Sequence, residues 1–213
     1  YREFFTRAGL SEEGFEQIVA MFASFRTQTK VARAFQRLRD GETLTIGEHQ
    51  WEIRGGEGHS PEHASLYCRD FGILLSGDQL LARISPNVGV LPFEPNANPL
   101  AEWFASLERI GRLPADTLVL PAHELPFRGP EKRARELTEH HLVTLDRLQA
   151  YCAESPGTVV ELSYKLFPDR RSPIMDDILA ISETLAHLAY LLAQGRATKH
   201  RLDNGSDQYH NAG

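Results

Sequence analysis

Between Arg2 and about Leu38 the apolar residues Phe4, Phe5, Leu10, Phe15, Ile18, Val19, Phe22 and Phe25 recur at helical spacing. Ser11, just before Glu12 and Glu13, supplies an N-cap followed by acidic residues that suit a helix dipole. The stretch predicts two or three helices. After Asp40-Gly41 the period changes to two: Leu44 and Ile46, a Gly47-Glu48 turn, then Trp51 and Ile53, which predicts a hairpin. Ala64 to Cys68 reads as a further strand, Arg69-Asp70-Phe71-Gly72 as a turn, and Ile73-Leu74-Leu75 as a short apolar strand. From Arg83 to Pro99 the chain is rich in Pro, Asn and Gly, which predicts a long loop able to border a site. Leu100, Trp103, Phe104, Leu107 and Ile110 restore the helical period, and Thr117 to Leu120 forms another buried strand. Strands alternating with helices in this way indicate a layered α/β domain.

Beyond Arg128 charged helix formers take over, and a boundary is placed near Gly129-Pro130, dividing the chain into 1–129 and 130–213. Residues 131 to 153 predict a helix with Leu137, His141, Leu145 and Leu148 on one face. Val159 to Leu166 predicts a second, and Asp176 to Gln194 a third that starts after Pro173 and stops at Gly195. Arg196 to His210, centred on Asn204-Gly205, reads as a two-stranded ribbon, so that the whole of 130–213 is expected to be a small, helical, winged-helix-like domain.

Composition narrows the function class. The chain has 213 residues, 41% hydrophobic and 24% charged, the balance of an ordinary globular protein with room for a sizeable core. A formal charge of -6 argues against a broad nucleic-acid surface, whose affinity rests on clustered Lys and Arg. Two distant cysteines, Cys68 and Cys152, form no C-x-x-C pair, so neither a disulfide framework nor a cysteine zinc module is expected, and a reducing, cytoplasmic setting is. No apolar run reaches the ~18 residues of a membrane span. The chain opens on Tyr1-Arg2-Glu3-Phe4-Phe5, with neither an initiator Met nor a signal-peptide core.

Three short segments carry the chemistry: Gly58-His59-Ser60-Pro61-Glu62-His63, Leu75-Ser76-Gly77-Asp78 and Leu120-Pro121-Ala122-His123-Glu124. Each sets a potential metal ligand after an apolar run or among turn formers, where a strand ends and a loop can present it. Imidazole and carboxylate bind Zn²⁺ without redox chemistry, and also suit iron and manganese. Gly58 and Gly77 permit the backbone conformations that turn a ligand back toward an ion.

In order and wording the three segments resemble the later motifs of the metallo-β-lactamase superfamily, usually G-H-T, S/T-G-D and P-G-H, over residues 41 to 129. The resemblance implies a partial αββα sandwich followed by the winged-helix-like domain. It implies two Zn²⁺ ions, or a mixed pair with Fe or Mn, with His59 on the first, Asp78 bridging both and His123 on the second. It also implies that a bridging hydroxide attacks a carbonyl carbon or a phosphorus centre. The expected substrate is a small ester, thioester, lactone or lactam-like molecule. The family's Gly before the last histidine is Ala122 here. Its earlier H-x-H-x-D-H motif does not occur in this chain. A fragment of a longer polypeptide, unable to turn over alone, is therefore expected ahead of a second chain supplying the missing half, a homo-oligomer or a degenerate non-enzyme.

Neighbouring residues carry weaker expectations. His63 is assigned hydrogen bonding rather than a metal contact, while Glu62, Glu124 and the loop Ile84 to Val88 border the ligands. His140, His141 and His187 are read as solvated or core-edge helix residues, and His200 and His210 as exposed. Two other functions stay open: an RNA- or DNA-acting hydrolase of the same fold, and a non-catalytic winged-helix module using Arg170, Arg171, Arg196, Lys199, His200 and Arg201 on phosphates.

Overall fold

A computed structural model describes residues 1–28, 35–169 and 174–213. Arg170 and Arg171 lie outside the described residues. The chain divides into two compact units that are not consecutive in sequence. One comprises Tyr1–Gln36, Gly89–Ala97 and Thr144–Gly213, and the other Arg37–Val88 and Asn98–Val143. The boundary expected at Gly129-Pro130 marks the start of helix α4 (Pro130–Glu154), whose first half belongs to the second of these units. The N-terminal helices group with the late part of the chain for a chemical reason. Arg7 pairs with Asp207 at 3.0 Å, and Gly9 packs so closely on Thr158 that a Cβ there would lie 2.7 Å from it.

The unit holding the three motifs is built on a six-stranded sheet: β1 (Thr43–Ile46), β2 (His49–Gly56), β3 (His63–Cys68), β4 (Ile73–Gly77), β5 (Leu118–Pro121) and β6 (Phe127–Arg128), hydrogen-bonded in that order. All neighbours are antiparallel except β4 and β5, which run parallel. The parallel pair needs a crossover, and α3 (Pro99–Gly111) provides it. Asn98 caps α3 by accepting from the Ala101 N–H, Pro99 opens it, and Leu100, Trp103, Leu107 and Ile110 are buried on one face. In the sheet Ile53, Cys68, Leu74 and Val119 are buried, each at most 1% exposed. The two-residue strand β6 shows no alternation and so escapes a reading by period.

The other unit contains α1 (Arg2–Ala8), α2 (Glu12–Gln28), α5 (Val159–Leu166), α6 (Ile174–Ala193) and a second sheet. Ser11 caps α2, its Oγ accepting from the Gly14 N–H. The expected ribbon is present as β8 (Ala197–Arg201) and β9 (Asp207–Asn211). It gains a third strand, β7 (Gly157–Thr158), which pairs with β9 to give the order β7-β9-β8. Arg7, Lys199 and Arg201 surround Asp207, whose side chain is 6% exposed, and Arg196 pairs with Asp146 at 2.8 Å. The ribbon cations expected to meet phosphates are thus committed to carboxylates.

Two histidines differ from expectation. His187 is fully buried, because its Nδ1 donates to the Glu183 carbonyl 2.7 Å away and so satisfies the ring inside an apolar helix. His141 is likewise buried, its Nε2 3.1 Å from the Ser85 hydroxyl. His140 and His200 are exposed. Among the described residues no helix is long and apolar enough to cross a membrane.

Candidate metal site

Sheet topology brings the three motifs to one edge. Gly77 pairs with Pro121 across the parallel strands, so Asp78 and His123 leave neighbouring strand ends in the same direction, and the Ala122 N–H donates to the Gly77 carbonyl at 3.0 Å. Gly56 pairs with His63, which places the β2–β3 loop carrying His59 at that edge too. The ends of β2, β4 and β5 and the start of β3 therefore converge.

His59 Nε2 lies 3.5 Å from Asp78 Oδ2, and His123 Nε2 lies 3.4 Å from Asp78 Oδ1. Each carboxylate oxygen thus faces a different imidazole. Two donors held at about 2.1 Å from one tetrahedral ion sit roughly 3.4 Å apart, so these separations suit donors sharing an ion better than they suit a hydrogen bond. Asp78 Oδ1 is also buried without a hydrogen-bond partner among the described residues. A buried carboxylate oxygen in that state is costly unless a cation completes it. The residues fit a divalent metal.

Second contacts orient these side chains. His59 Nδ1 donates to the Asn87 carbonyl at 2.8 Å, which leaves the Nε2 lone pair free on the Asp78 side. His63 Nε2 accepts from the Asp78 N–H at 3.3 Å, the hydrogen-bonding part expected of it. Burial pushes the His63 imidazole below its ordinary pKa, and His59 nearby adds to this against the pull of Asp78. A neutral ring is what an acceptor at Nε2 requires. Gly77, with φ of 54°, lies directly against this ring: a Cβ would come within 2.8 Å of His63 Nε2. Gly58, with φ of 99°, brings the His59 loop against α3.

Glu124 acts on a loop rather than on a ligand, its carboxylate accepting from the Arg83 N–H at 2.7 Å. The Glu62 N–H donates to the Glu57 carboxylate. Three supports gave no sequence signal. Arg133, at the start of α4, donates to the carbonyls of Leu81, Arg83 and Ile84 at 2.7, 2.8 and 2.9 Å, fixing the chain that follows Asp78. Buried Ser106 accepts from the Glu57 N–H at 2.9 Å and holds the approach to His59. Asn87 acts through its backbone, which no side-chain pattern reports.

Residues 6–123 match the profile of the metallo-beta-lactamase superfamily, and residues 145–212 match the metallo-beta-lactamase-like C-terminal domain. A solved beta-lactamase domain protein from Burkholderia ambifaria is 37% identical with a TM-score of 0.90, covering 98% of this chain and 60% of that one. A Bacillus subtilis protein named "Probable metallo-hydrolase YqjP" is 26% identical over 166 residues, covering 76% of this chain and 51% of its own length. A hydroxyacylglutathione hydrolase from Roseobacter denitrificans is 32% identical over 87 residues, 41% of this chain and 31% of that protein. The chain thus spans about half, or less, of the curated relatives it matches. With the ordered motifs, their convergence on one sheet edge and a profile match over more than half its length, this chain belongs to the metallo-beta-lactamase superfamily.

Proposed function

We propose that this chain forms part of a metal-dependent hydrolase acting on a small substrate with an activated acyl group: an ester, thioester, lactone or lactam. The observation that carries the reading is Asp78, whose two oxygens face His59 and His123 separately, with Oδ1 buried and otherwise unpartnered. His59, Asp78 and His123 would hold the divalent metal, two ions of Zn²⁺ or a mixed pair with Fe or Mn, with the Asp78 carboxylate offering one oxygen toward each imidazole. Such ions would lower the pKa of bound water to about 7 and so make a nucleophile available at neutral pH. The protein's own part is positional. Asn87 fixes the His59 tautomer, and His63 and Gly77 set the turn that presents Asp78. The loop from Ile84 to Val88, held by Arg133 and Glu124, walls the approach. An acylglutathione, the substrate class in the name of the Roseobacter relative, is a thioester and heads the substrates to test.

Three ligands shared between two ions are fewer than a catalytic zinc pair uses. A complete zinc pair would need further ligands besides these three. The test is a metal-loaded intact protein assayed against esters, thioesters, lactones and lactams. Asp78→Ala is expected to lower kcat at least about a thousandfold, since it removes a group serving both ions. Full turnover by Asp78→Ala would overturn the assignment.

A further inference from the structure

A second group of donor side chains lies at the far end of the strands that carry the site. His49 opens β2, Cys68 closes β3, and Asp70 stands in the turn to β4. The antiparallel register, Glu52 opposite Tyr67, carries these ends to one edge of the sheet. His63, beside Asp78, begins the six-residue β3 that Cys68 ends, so the two groups stand roughly 16 Å apart at about 3.3 Å per residue.

One donor atom from each of His49, Cys68 and Asp70 lies within 4.8 Å of the other two, and His49 Nδ1 is 3.2 Å from Asp70 Oδ2. Cys68 is a fully buried free thiol, while the His49 and Asp70 side chains are reached by solvent, 38% and 64% exposed. The Phe71 ring lies 4.1 Å from the His49 ring, centroid to centroid, and confines the imidazole. Donors around a tetrahedral Zn²⁺ are separated by roughly 3.3 to 3.8 Å, so small rotations of two solvent-facing side chains complete the set above a fixed sulfur. Sulfur, imidazole and carboxylate together favour a thiophilic ion over Mg²⁺ or Ca²⁺, which take oxygen ligands.

We propose that His49, Cys68 and Asp70 form a second Zn²⁺ site, structural rather than catalytic, with water as the fourth ligand. Binding breaks the Cys68 S–H bond, forms a Zn–S bond and releases the proton to solvent, with no change of oxidation state. The ion ties the start of β2, the end of β3 and the turn to β4 together at the base of the sheet that holds Asp78. This site does not depend on the hydrolase reading, because its ligands are separate and its signal is not turnover.

The test uses the intact protein, stripped with a chelator and titrated with Co²⁺. Thiolate-bound cobalt shows an intense near-ultraviolet sulfur-to-metal charge-transfer band, which His59, Asp78 and His123 cannot produce. The band is expected in the unmodified protein and in the Asp78→Asn and Cys152→Ser variants. It should bleach when Zn²⁺ is added, vanish in Cys68→Ser, and need at least tenfold more cobalt in His49→Ala. Absence of the band from the unmodified protein, its survival in Cys68→Ser or its loss in Cys152→Ser overturns the proposal. Should Cys68→Ser fail to fold, the solvent-facing variants His49→Ala and Asp70→Asn decide. An unchanged cobalt affinity in both overturns the site, and a weakened one in either upholds it.

Discussion

Gly58 shows how one residue without a side chain sets the site. Its φ of 99° is a conformation that L side chains rarely adopt, and a Cβ there would lie 2.7 Å from both the Pro99 carbonyl oxygen and Trp103 Cβ. Neither neighbour can move cheaply, since one is helix backbone and the other carries a fully buried indole. Gly58→Ala should therefore cost about 2–4 kcal/mol, strain plus overlap, and displace His59. Gly41, with φ of 80° and open space around it, is the control. Urea unfolding of Gly41→Ala should show only the strain, about 1 kcal/mol. Equal losses at the two glycines would refute the close approach. A pH effect belongs to this scale too. Desolvation raises the Cys152 thiol from 9.0 to about 11, with Lys165 pulling weakly the other way. Between those values the unfolded chain has lost a proton that the folded chain keeps. Stability from this group is therefore complete below pH 9 and lost as pH rises through 11, a change of about 2–3 kcal/mol. Denaturant titrations across that window should show a shallower decline for Cys152→Ala than for the unmodified protein.

The elements themselves were largely legible. Strands β1 to β5 alternate or run wholly apolar, helices α3 and α5 carry clear faces and caps, and His59, Asp78 and His123 sit in local strings that a linear reading detects. What escaped were features fixed by distant chain. Strands β6 and β7 have two residues each, too few to show a period, and exist because neighbouring strands offer hydrogen bonds. The histidines His141 and His187 read as solvated or core-edge residues, and their full burial escaped because their partners, Ser85 and a backbone carbonyl, are invisible to periodicity. Arg133 belongs with these: one exposed-looking arginine in a charged run holds three carbonyls of the loop after β4. Replacing it by Met keeps the helix and removes the donors. The Arg133→Met variant should lose about 2 kcal/mol. Exchange of the Arg83 and Ile84 amides, which donate to Glu124, should quicken selectively. Unchanged protection of those amides would mean the loop needs no such anchor.

At the scale of the molecule, charge and ligand count decide the reading. A net charge of -6, with Arg196, Lys199 and Arg201 beside Asp146 or Asp207, leaves the ribbon poorly suited to phosphates. Ligand count is the stricter constraint. On the proposed reading Asp78 would give one oxygen to each side, His59 would serve one position and His123 the other, so each ion would have two protein ligands from this chain. His63 Nε2 is already engaged, accepting from the Asp78 N–H. Zinc sites ordinarily use three or four protein ligands, and affinity falls steeply with each one lost. These residues alone should therefore hold zinc at this edge weakly, on the order of a hundredfold or more below an ordinary three- or four-ligand zinc site. Calorimetric titration in a Cys68→Ser background, which silences the thiol site, measures that affinity. An Asp78→Asn variant in the same background shows which heat belongs to this edge. An affinity typical of three or four protein ligands would mean that these residues complete the site by themselves, and the division of Asp78 between two ions would have to be abandoned.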